Sequence, residues 1–371
     1  MVNNEKTLNS KYNVEVDMIE KCEWYEALMN FNDATIYQTW SYGSVRWGES
    51  KLSHLVLKKD GEIVGLAQVI IIKIPLINAG IGYIPWGPIW QKKDAASDFE
   101  SISYLIKALR KEYVVKRKLL LRITPNAINE DHDFICEILK KEGFILKSSP
   151  YRTLLIDLSL SMEELYKGSA RRWRRALKTS EQKGLKVIEG TENHLYEVFK
   201  ILYTEMVERK GFLPGINIYE FQEIQKDLPT PFKMKIMICE HEGKAIAALI
   251  ASLIGQKGIG LLGATATSGM NLGGFQLLNW RMIHWMKENG AVRYDFGGYN
   301  PIKNPGTASF KEGLPGKDVL HIGQFEACEN LLSSFIVVWA ERFSSIYNKI
   351  KLTFFKNSHS KESGKHKGTI D

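Results

Sequence analysis

Two stretches of the chain repeat one arrangement of apolar and polar positions. In residues 53–72, SHLVLKKDGEIVGLAQVIII, two runs rich in Leu, Val and Ile flank Asp60-Gly61. In residues 234–254, MKIMICEHEGKAIAALIASLI, two such runs flank Glu242-Gly243. Short β-branched runs around a glycine turn predict β-hairpins. The elements after each hairpin also match. The first precedes a strand over 82–90, a helix over 97–115 and a strand over 119–123. The second precedes a strand over 258–264, a helix over 274–289 stopped by Gly290, and a strand over 292–296. In that second helix Phe275, Leu278, Met282, Trp285 and Met286 recur at helical spacing. The repeated order β-turn-β, β, α, β predicts an α/β (mixed α+β) chain of two tandem units, each a mixed β-sheet with packed helices. The junction falls near Pro150. It gives a first unit over 1–150, joined by part of 318–350, and a second over 151–317. At the start of the second unit, Ser159 or Ser161 caps a helix over 162–167, and residues 169–183 form a basic helix ended by Gly184. A further helix over 194–210 carries Leu195, Val198, Phe199, Leu202, Met206 and Arg209.

Composition agrees with a folded, multidomain protein. The chain has 371 residues, 44% hydrophobic and 25% charged, so it can bury a core without metal or disulfide support. Cys22, Cys136, Cys239 and Cys328 are far apart and form no CxxC pair, which predicts buried thiols in a reducing compartment and no structural zinc. The N-terminal residues are polar, with no apolar stretch of a secretion signal. The apolar runs at 245–255 and 331–340 are too short to span a bilayer, and the longer stretch at 66–90 is interrupted by Gln68, Lys73, Pro75 and Asn78. A soluble cytoplasmic protein is expected.

The charge is local. The net value is +8, and most of it comes from residues 171–186 and from the lysine-rich tail 351–371, which is expected to be disordered. The concentration predicts either contact surfaces for anionic partners or ordinary solvated faces.

Several familiar chemistries are absent. There is no GxxxxGK[ST], no HExxH and no GxSxG, so no covalent or metal apparatus is visible. Four features remain. Residues 80–88, GIGYIPWGP, read as a shaped aromatic turn that either lines a cleft or packs a corner. In ARRWRRALKTSEQKG (170–184), Arg171, Arg172, Arg174, Arg175 and Lys178 surround an apolar side of Trp173 and Leu177. The guanidinium groups suit phosphate, although a solvated helix face has the same pattern. Residues 267–274, TSGMNLGG, lie between a strand and a helix, where backbone N–H groups hold phosphate or make a plain turn. They lack the QxxGxG spacing of an acetyl-coenzyme A loop. Finally, RYDFGGYNPIKNPGTASFKEGLPG (293–316) ends a strand in Gly297-Gly298 and leads to Phe310-Lys311. Here a lysine beside an aromatic anchor either faces developing negative charge or is an ordinary loop lysine.

Taken in order, six pieces resemble the FemA/FemB/FemX non-ribosomal peptidyltransferases, within the FemAB-like acyltransferases. They are Gln38-Thr39-Trp40 to Arg46, Pro85-Trp86-Gly87-Pro88, residues 154–158 with the helix 171–178, Glu208-Arg209-Lys210-Gly211-Phe212, Tyr294-Asp295-Phe296-Gly297-Gly298, and Phe310-Lys311. The resemblance runs from about Tyr37 to about Gly323. It implies two tandem GNAT-like domains and transfer of an amino acid from aminoacyl-tRNA to an amine of a peptidoglycan precursor, without a metal or resident cofactor. It places Lys311 at the reacting ester. It gives Arg46 and Arg209 to the precursor's diphosphate, and Trp86, Phe310, Gly297 and Gly298 to the substrate site. Arg172, Arg175 and Lys178 fall in the family's basic helix, the candidate phosphate or tRNA contact. Thr124 stands where a relative carries an aspartate, and the interval between Ile218 and Phe232 is too short for the coiled-coil arm of staphylococcal members.

Two other functions fit the residues. One is acyl-coenzyme A-dependent N-acylation of an amino sugar in a surface polysaccharide. The other is non-catalytic binding of RNA or anions. In the first two readings the enzyme is expected in the cytoplasm, with contact to the inner membrane surface as a further expectation.

Overall fold

The computed structural model describes residues 11–74, 79–96, 98–127, 132–148, 152–211, 215–298, 300–302, 305–340 and 342. In chain order the first half contains β1 (Tyr12–Val16), α1 (Lys21–Leu28), α2 (Trp40–Trp47), β2 (Leu52–Lys59), β3 (Glu62–Lys73), β4 (Gly80–Pro85), α3 (Phe99–Leu109), β5 (Leu120–Thr124), α4 (His132–Lys141) and β6 (Ile145–Ser148). The second contains β7 (Arg152–Asp157), α5 (Met162–Gly168), α6 (Arg171–Gln182), β8 (Lys186–Gly190), α7 (Asn193–Lys210), α8 (Ile218–Asp227), β9 (Lys235–His241), β10 (Lys244–Ile254), β11 (Lys257–Thr265), α9 (Gly274–Glu288), β12 (Arg293–Gly298) and α10 (Pro305–Lys311). The chain then adds β13 (Gly316–Leu320), β14 (Gln324–Ala327) and α11 (residues 331–340).

The strands form two seven-stranded sheets, ordered β1-β2-β3-β4-β5-β14-β6 and β13-β7-β12-β11-β10-β9-β8. The predicted duplication is explicit in the pairing. Each hairpin, β2-β3 and β9-β10, is antiparallel, and each sheet has a central parallel pair, β4-β5 and β11-β12. Both hairpin turns put a side chain at positive φ before the glycine, Asp60 at 52° and Glu242 at 51°. Ser161 makes the capping box of α5 with Glu164. The predicted junction at Pro150 and the tail 351–371 lie outside the described residues.

Two sequence expectations change. Residues 80–85 are a regular strand, and the shaped corner begins only at Trp86. The glycines in this strand answer crowding, since a Cβ at Gly80 would come within 2.3 Å of the Ile72 carbonyl oxygen. The cysteines also differ from expectation: Cys239 is buried, with its thiol pushed up to about 12 by burial, but Cys22 is exposed and Cys136 and Cys328 are half-buried.

Two apolar cores lie within the lobes, and a third joins them. That third core brings Trp24, Phe31 and Tyr42 of the first lobe against Phe199, Phe221, Phe232 and Ile250 of the second. Continuous packing of this kind fixes lobe against lobe. A backbone contact reinforces it where Gln256 N–H donates to the Asn32 carbonyl at 3.0 Å. Gly255, at φ 64°, makes the approach possible, because a Cβ there would sit 2.4 Å from the same oxygen.

Candidate active site

The aromatic corner is held from beneath by one glutamine. Gln38 donates to the Pro85 carbonyl at 2.8 Å and accepts from Gln68 N–H at 2.8 Å, while Trp24 Nε1 donates to the Gln38 carbonyl at 3.0 Å. All of these groups are buried, so their hydrogen bonds are obligatory. A Cβ at Gly87 would press on the Gln38 amide at 2.8 Å. Thr124 closes the corner from the other side, its carbonyl accepting from Gly87 N–H at 3.2 Å. The sequence pieces 38–46 and 85–88 are thus one construction, which presents Trp86 toward the second lobe.

In the second lobe, β11 and β12 pair only over Lys257–Ile259 and Arg293–Asp295. Beyond that they part, and the opening is a cavity of about 720 Å³. Residues 260–265 of β11, Tyr294 and Phe296 of β12, Phe275 of α9 and Phe310 of α10 line it, with Lys210. A second cavity of about 290 Å³ lies between the lobes. Thr35, Tyr37, Trp86 and Asn126 line it from the first lobe, and Lys257, Asp295, Gly297 and Gly298 from the second. Lys311, Phe296, Gly260 and Leu261 border both cavities.

Lys311 ends α10 with its ammonium held by three successive carbonyls, those of Phe296 at 2.5 Å, Gly297 at 2.9 Å and Gly298 at 2.9 Å. These use all three of its N–H donors. Gly297 has a φ of 72°, a backbone region that glycine favours, and so turns the carbonyls toward one point. Burial pulls the Lys311 amine down to about 8, against the upward pull of the nearby Asp295 charge.

Asp295, to which the sequence motifs gave no role, organises this turn. Its Oδ1 accepts from Gly297 N–H at 2.8 Å and from the Thr153 hydroxyl. Its Oδ2 lies 3.5 Å from His321 Nε2 and 3.6 Å from Lys257 Nζ. Burial alone would raise the carboxyl, but His321, the Lys257 charge and the Thr153 hydroxyl hold it well below the usual carboxylate range. Burial lowers Lys257, opposed by Asp295, and also lowers His321. Lys257 donates to Asn126 Oδ1 of the first lobe at 2.8 Å, and the His321 ring meets Trp86 edge-on at 4.8 Å. One polar chain therefore runs from the first lobe through Lys257 and Asp295 to the cradle of Lys311. A sequence signal did exist, since an aspartate inside an apolar strand, between Tyr294 and Phe296, needs a buried partner.

The other expected site residues divide by location. Trp86, Gly297 and Gly298 line the interlobe cavity, and Phe310 lines the larger one, its ring 5.2 Å from that of Phe275. Arg209 donates to the Thr265 carbonyl at 2.8 Å and the Thr267 hydroxyl at 3.0 Å, next to Lys210 at the edge of the larger cavity. Arg46 lines neither cavity. It joins α2 to α8 through Glu220 at 3.1 Å, with Tyr42 Oη at 2.5 Å and the Trp47 ring beneath it. On α6, Trp173 and Leu177 are buried as expected, and Arg171, Arg172, Arg175 and Lys178 are exposed. Arg172 donates to the carbonyl of Ser309 on α10, the helix of Lys311.

The segment Thr267–Gly274 stands between β11 and α9, as predicted. The Thr267 N–H already donates to the Glu205 carboxylate at 2.7 Å, and a Cβ at Gly273 would lie 2.6 Å from the Ala176 carbonyl. An acidic partner and close packing on α6 thus account for this turn.

Residues 166–312 match the acetyltransferase (GNAT) domain family. The lipid II:glycine glycyltransferase of Staphylococcus haemolyticus (strain JCSC1435) is 22% identical over 352 residues, covering 72% of this chain and 81% of that protein. Among solved structures, FemX superposes with a TM-score of 0.73 at 18% identity, over 85% of this chain and 98% of that one. The C-terminal domain of a putative lysylphosphatidylglycerol synthetase from Agrobacterium fabrum gives 0.53 at 11% identity, over 87% and 97%. Domain match, relative and fold agree with the resemblance read from the sequence: the chain is built of two GNAT-like lobes arranged as in FemX, and the second lobe matches the acetyltransferase domain family.

Proposed function

We propose that the protein transfers an aminoacyl group from the 3′ ester of an aminoacyl-tRNA to an amine of a lipid-linked peptidoglycan precursor. The observation that carries this reading is the position of Lys311 on the wall common to two cavities. The larger suits the aminoacyl end of the donor. The interlobe cavity, walled by Trp86 and Tyr37, suits the acceptor amine. The similar glycyltransferase, by its name, acts on lipid II, which favours a precursor of that class. α6 supports an RNA donor, since it packs beside α9 and α10, two helices that line the larger cavity, and leaves Arg171, Arg175 and Lys178 exposed.

In the reaction the acceptor nitrogen attacks the ester carbonyl. The C–N bond forms, the C–O bond to the ribose breaks, and the proton lost by nitrogen leaves with the ribose oxygen. The cation of Lys311 lowers the energy of the oxyanion formed on the way. Its hydrogen bond to the solvent-facing Gly298 carbonyl is the one that exchanges for the oxyanion. Most of the remaining rate comes from holding two large substrates together. Nothing in this scheme requires an enzyme nucleophile.

The arrangement can be tested in three ways. The first concerns the donor. The purified protein is incubated with an amine-bearing precursor and either aminoacyl-tRNA or acyl-coenzyme A, and the mass of the precursor is read. The expected gain is one amino acid residue, from aminoacyl-tRNA only and inhibited by salt. A gain only from acyl-coenzyme A contradicts the proposal.

The second concerns pH. An acceptor amine of ordinary pKa, about 10, becomes more reactive with each step in pH, whereas Lys311 loses its proton near 8. The logarithm of the single-turnover rate therefore climbs with pH and bends flat near pH 8. An uninterrupted climb to pH 10 rules out a required ammonium with this value.

The third concerns Arg209. The resemblance gives it to the acceptor's diphosphate, whereas its place at the edge of the larger cavity gives its phosphate contact to the donor. Arg209→Ala is expected to raise the aminoacyl-tRNA KM by about tenfold, as for loss of a charge-assisted contact to phosphate, with kcat and the acceptor KM little changed. An unaltered donor KM with a raised acceptor KM would return Arg209 to the acceptor.

A further inference from the structure

Among the described residues, helix α11 is anchored by one face. Ser333 and Val337 are buried. Ser333 Oγ accepts from Gly80 N–H at 3.1 Å and donates to the Lys118 carbonyl at 2.8 Å, and Asn330 donates to the same carbonyl at 3.2 Å. The outward face is apolar. Leu331 is 87% exposed, Leu332 47%, Phe335 60% and Trp339 43%. Leu331, Phe335 and Trp339 follow at i, i+4 and i+8, so they form one stripe. The Phe335 and Trp339 rings lie 5.7 Å apart, and the Arg342 guanidinium sits 5.8 Å from the Trp339 ring. Exposed Lys118 and Lys73 flank the anchored face, Lys73 being the strand partner of Gly80. Beyond Arg342 the sequence adds six lysines against two acids.

A stripe of leucine and aromatic side chains with a cationic border has a specific complement. An apolar partner protein leaves the cations unanswered, and a second copy of this chain would set the two like-charged borders against each other. RNA answers the cations but not the leucines. An anionic bilayer answers both, with the rings and leucines entering the interfacial layer while lysine and arginine meet lipid phosphates.

We propose that the outward face of α11, with Lys73, Lys118 and Arg342, docks the protein on an anionic phospholipid bilayer. The purpose of this docking rests on the lipid-linked acceptor proposed above; the docking itself does not. α11 pins the first residue of β4, and the other end of that strand leads to Trp86 at the interlobe cavity. At roughly 3.3 Å per residue the two are about 20 Å apart, so the docked face and the acceptor site lie at opposite ends of one strand.

The test uses the full chain and vesicles of phosphatidylglycerol and phosphatidylcholine in equal parts, beside vesicles of phosphatidylcholine alone, each read by sedimentation. The protein is expected to sediment with the anionic vesicles and to be released by salt. The double variant Phe335→Ser/Trp339→Ser is expected to bind them at least tenfold more weakly, and Lys73→Glu/Lys118→Glu likewise, both with unchanged melting temperature and unchanged transfer to a lipid-free acceptor. The proposal is overturned by equal binding to both vesicle types, by no binding, or by variants that bind as the parent does. It is also overturned if the aromatic variant instead abolishes a dimer seen by gel filtration, or if tRNA binding alone falls in the variants. Failure of transfer with intact vesicle binding would count against the acyl-transfer scheme and leave the docking surface standing.

Discussion

Replacing Lys311 with methionine lowers the single-turnover rate of transfer by a factor of about 10² or more, while acceptor affinity changes by less than about threefold. The size comes from what the residue supplies. A preformed cation facing an oxyanion in a dry cleft is worth about 3 kcal/mol to the transition state and little to the ground state. Methionine has similar length and apolar reach, so the bulk of the wall between the two cavities is kept while the charge is lost. The variant also leaves the carbonyls of Phe296, Gly297 and Gly298 without their donor, so its melting temperature is measured beside its rate. A stable variant with near-normal turnover would remove Lys311 from the chemistry.

The second large effect belongs to Asp295. In Asp295→Ala, Gly297 N–H and the Thr153 hydroxyl lose their acceptor, and Lys257 loses its counter-ion inside the protein. Breaking a buried ion pair on one side costs about 3 kcal/mol or more, so the urea midpoint falls markedly. The transfer rate falls at least tenfold as the carbonyl cradle relaxes. Asp295→Asn separates shape from charge. The amide oxygen still accepts from Gly297, so more of the rate survives. The negative charge that supports the Lys311 ammonium is gone, however, and the bend in the pH profile moves below 8. A bend at the same pH in parent and Asp295→Asn would show that Asp295 does not position or support Lys311 electrostatically.

The sequence carried the architecture further than it carried the site. Local signals were strong where one segment decides its own structure. The hairpin turns at Asp60-Gly61 and Glu242-Gly243, the capping Ser161 and the Trp173-Leu177 stripe all behave as their patterns imply. The site depends instead on partners far apart in the chain. Lys257 meets Asn126 across 131 positions, and nothing near either residue announces the other. Lys257 reads as a turn lysine in GQKGIG, and His321 as one polar residue in a loop. Arg46 shows the converse. Its motif context drew attention to its charge, and only the structure shows that this charge faces Glu220 and joins α2 to α8. The corner at residues 85–88 was recognisable, but its dependence on Gln38 was not, because a buried glutamine has no pattern of its own until its hydrogen bonds are seen.

The most direct measurement restores the cation chemically. Lys311→Cys, which should be inactive, is treated with 2-bromoethylamine to give a thioether ammonium of lysine-like length, or with iodoacetamide to give a neutral amide of similar size. The parent protein, whose exposed Cys22 reacts in the same way, serves as the control. A rate that returns with the ammonium and stays low with the amide is the result expected here. Equal rates for the two adducts, with both substrates still bound, would contradict the role assigned to the Lys311 charge.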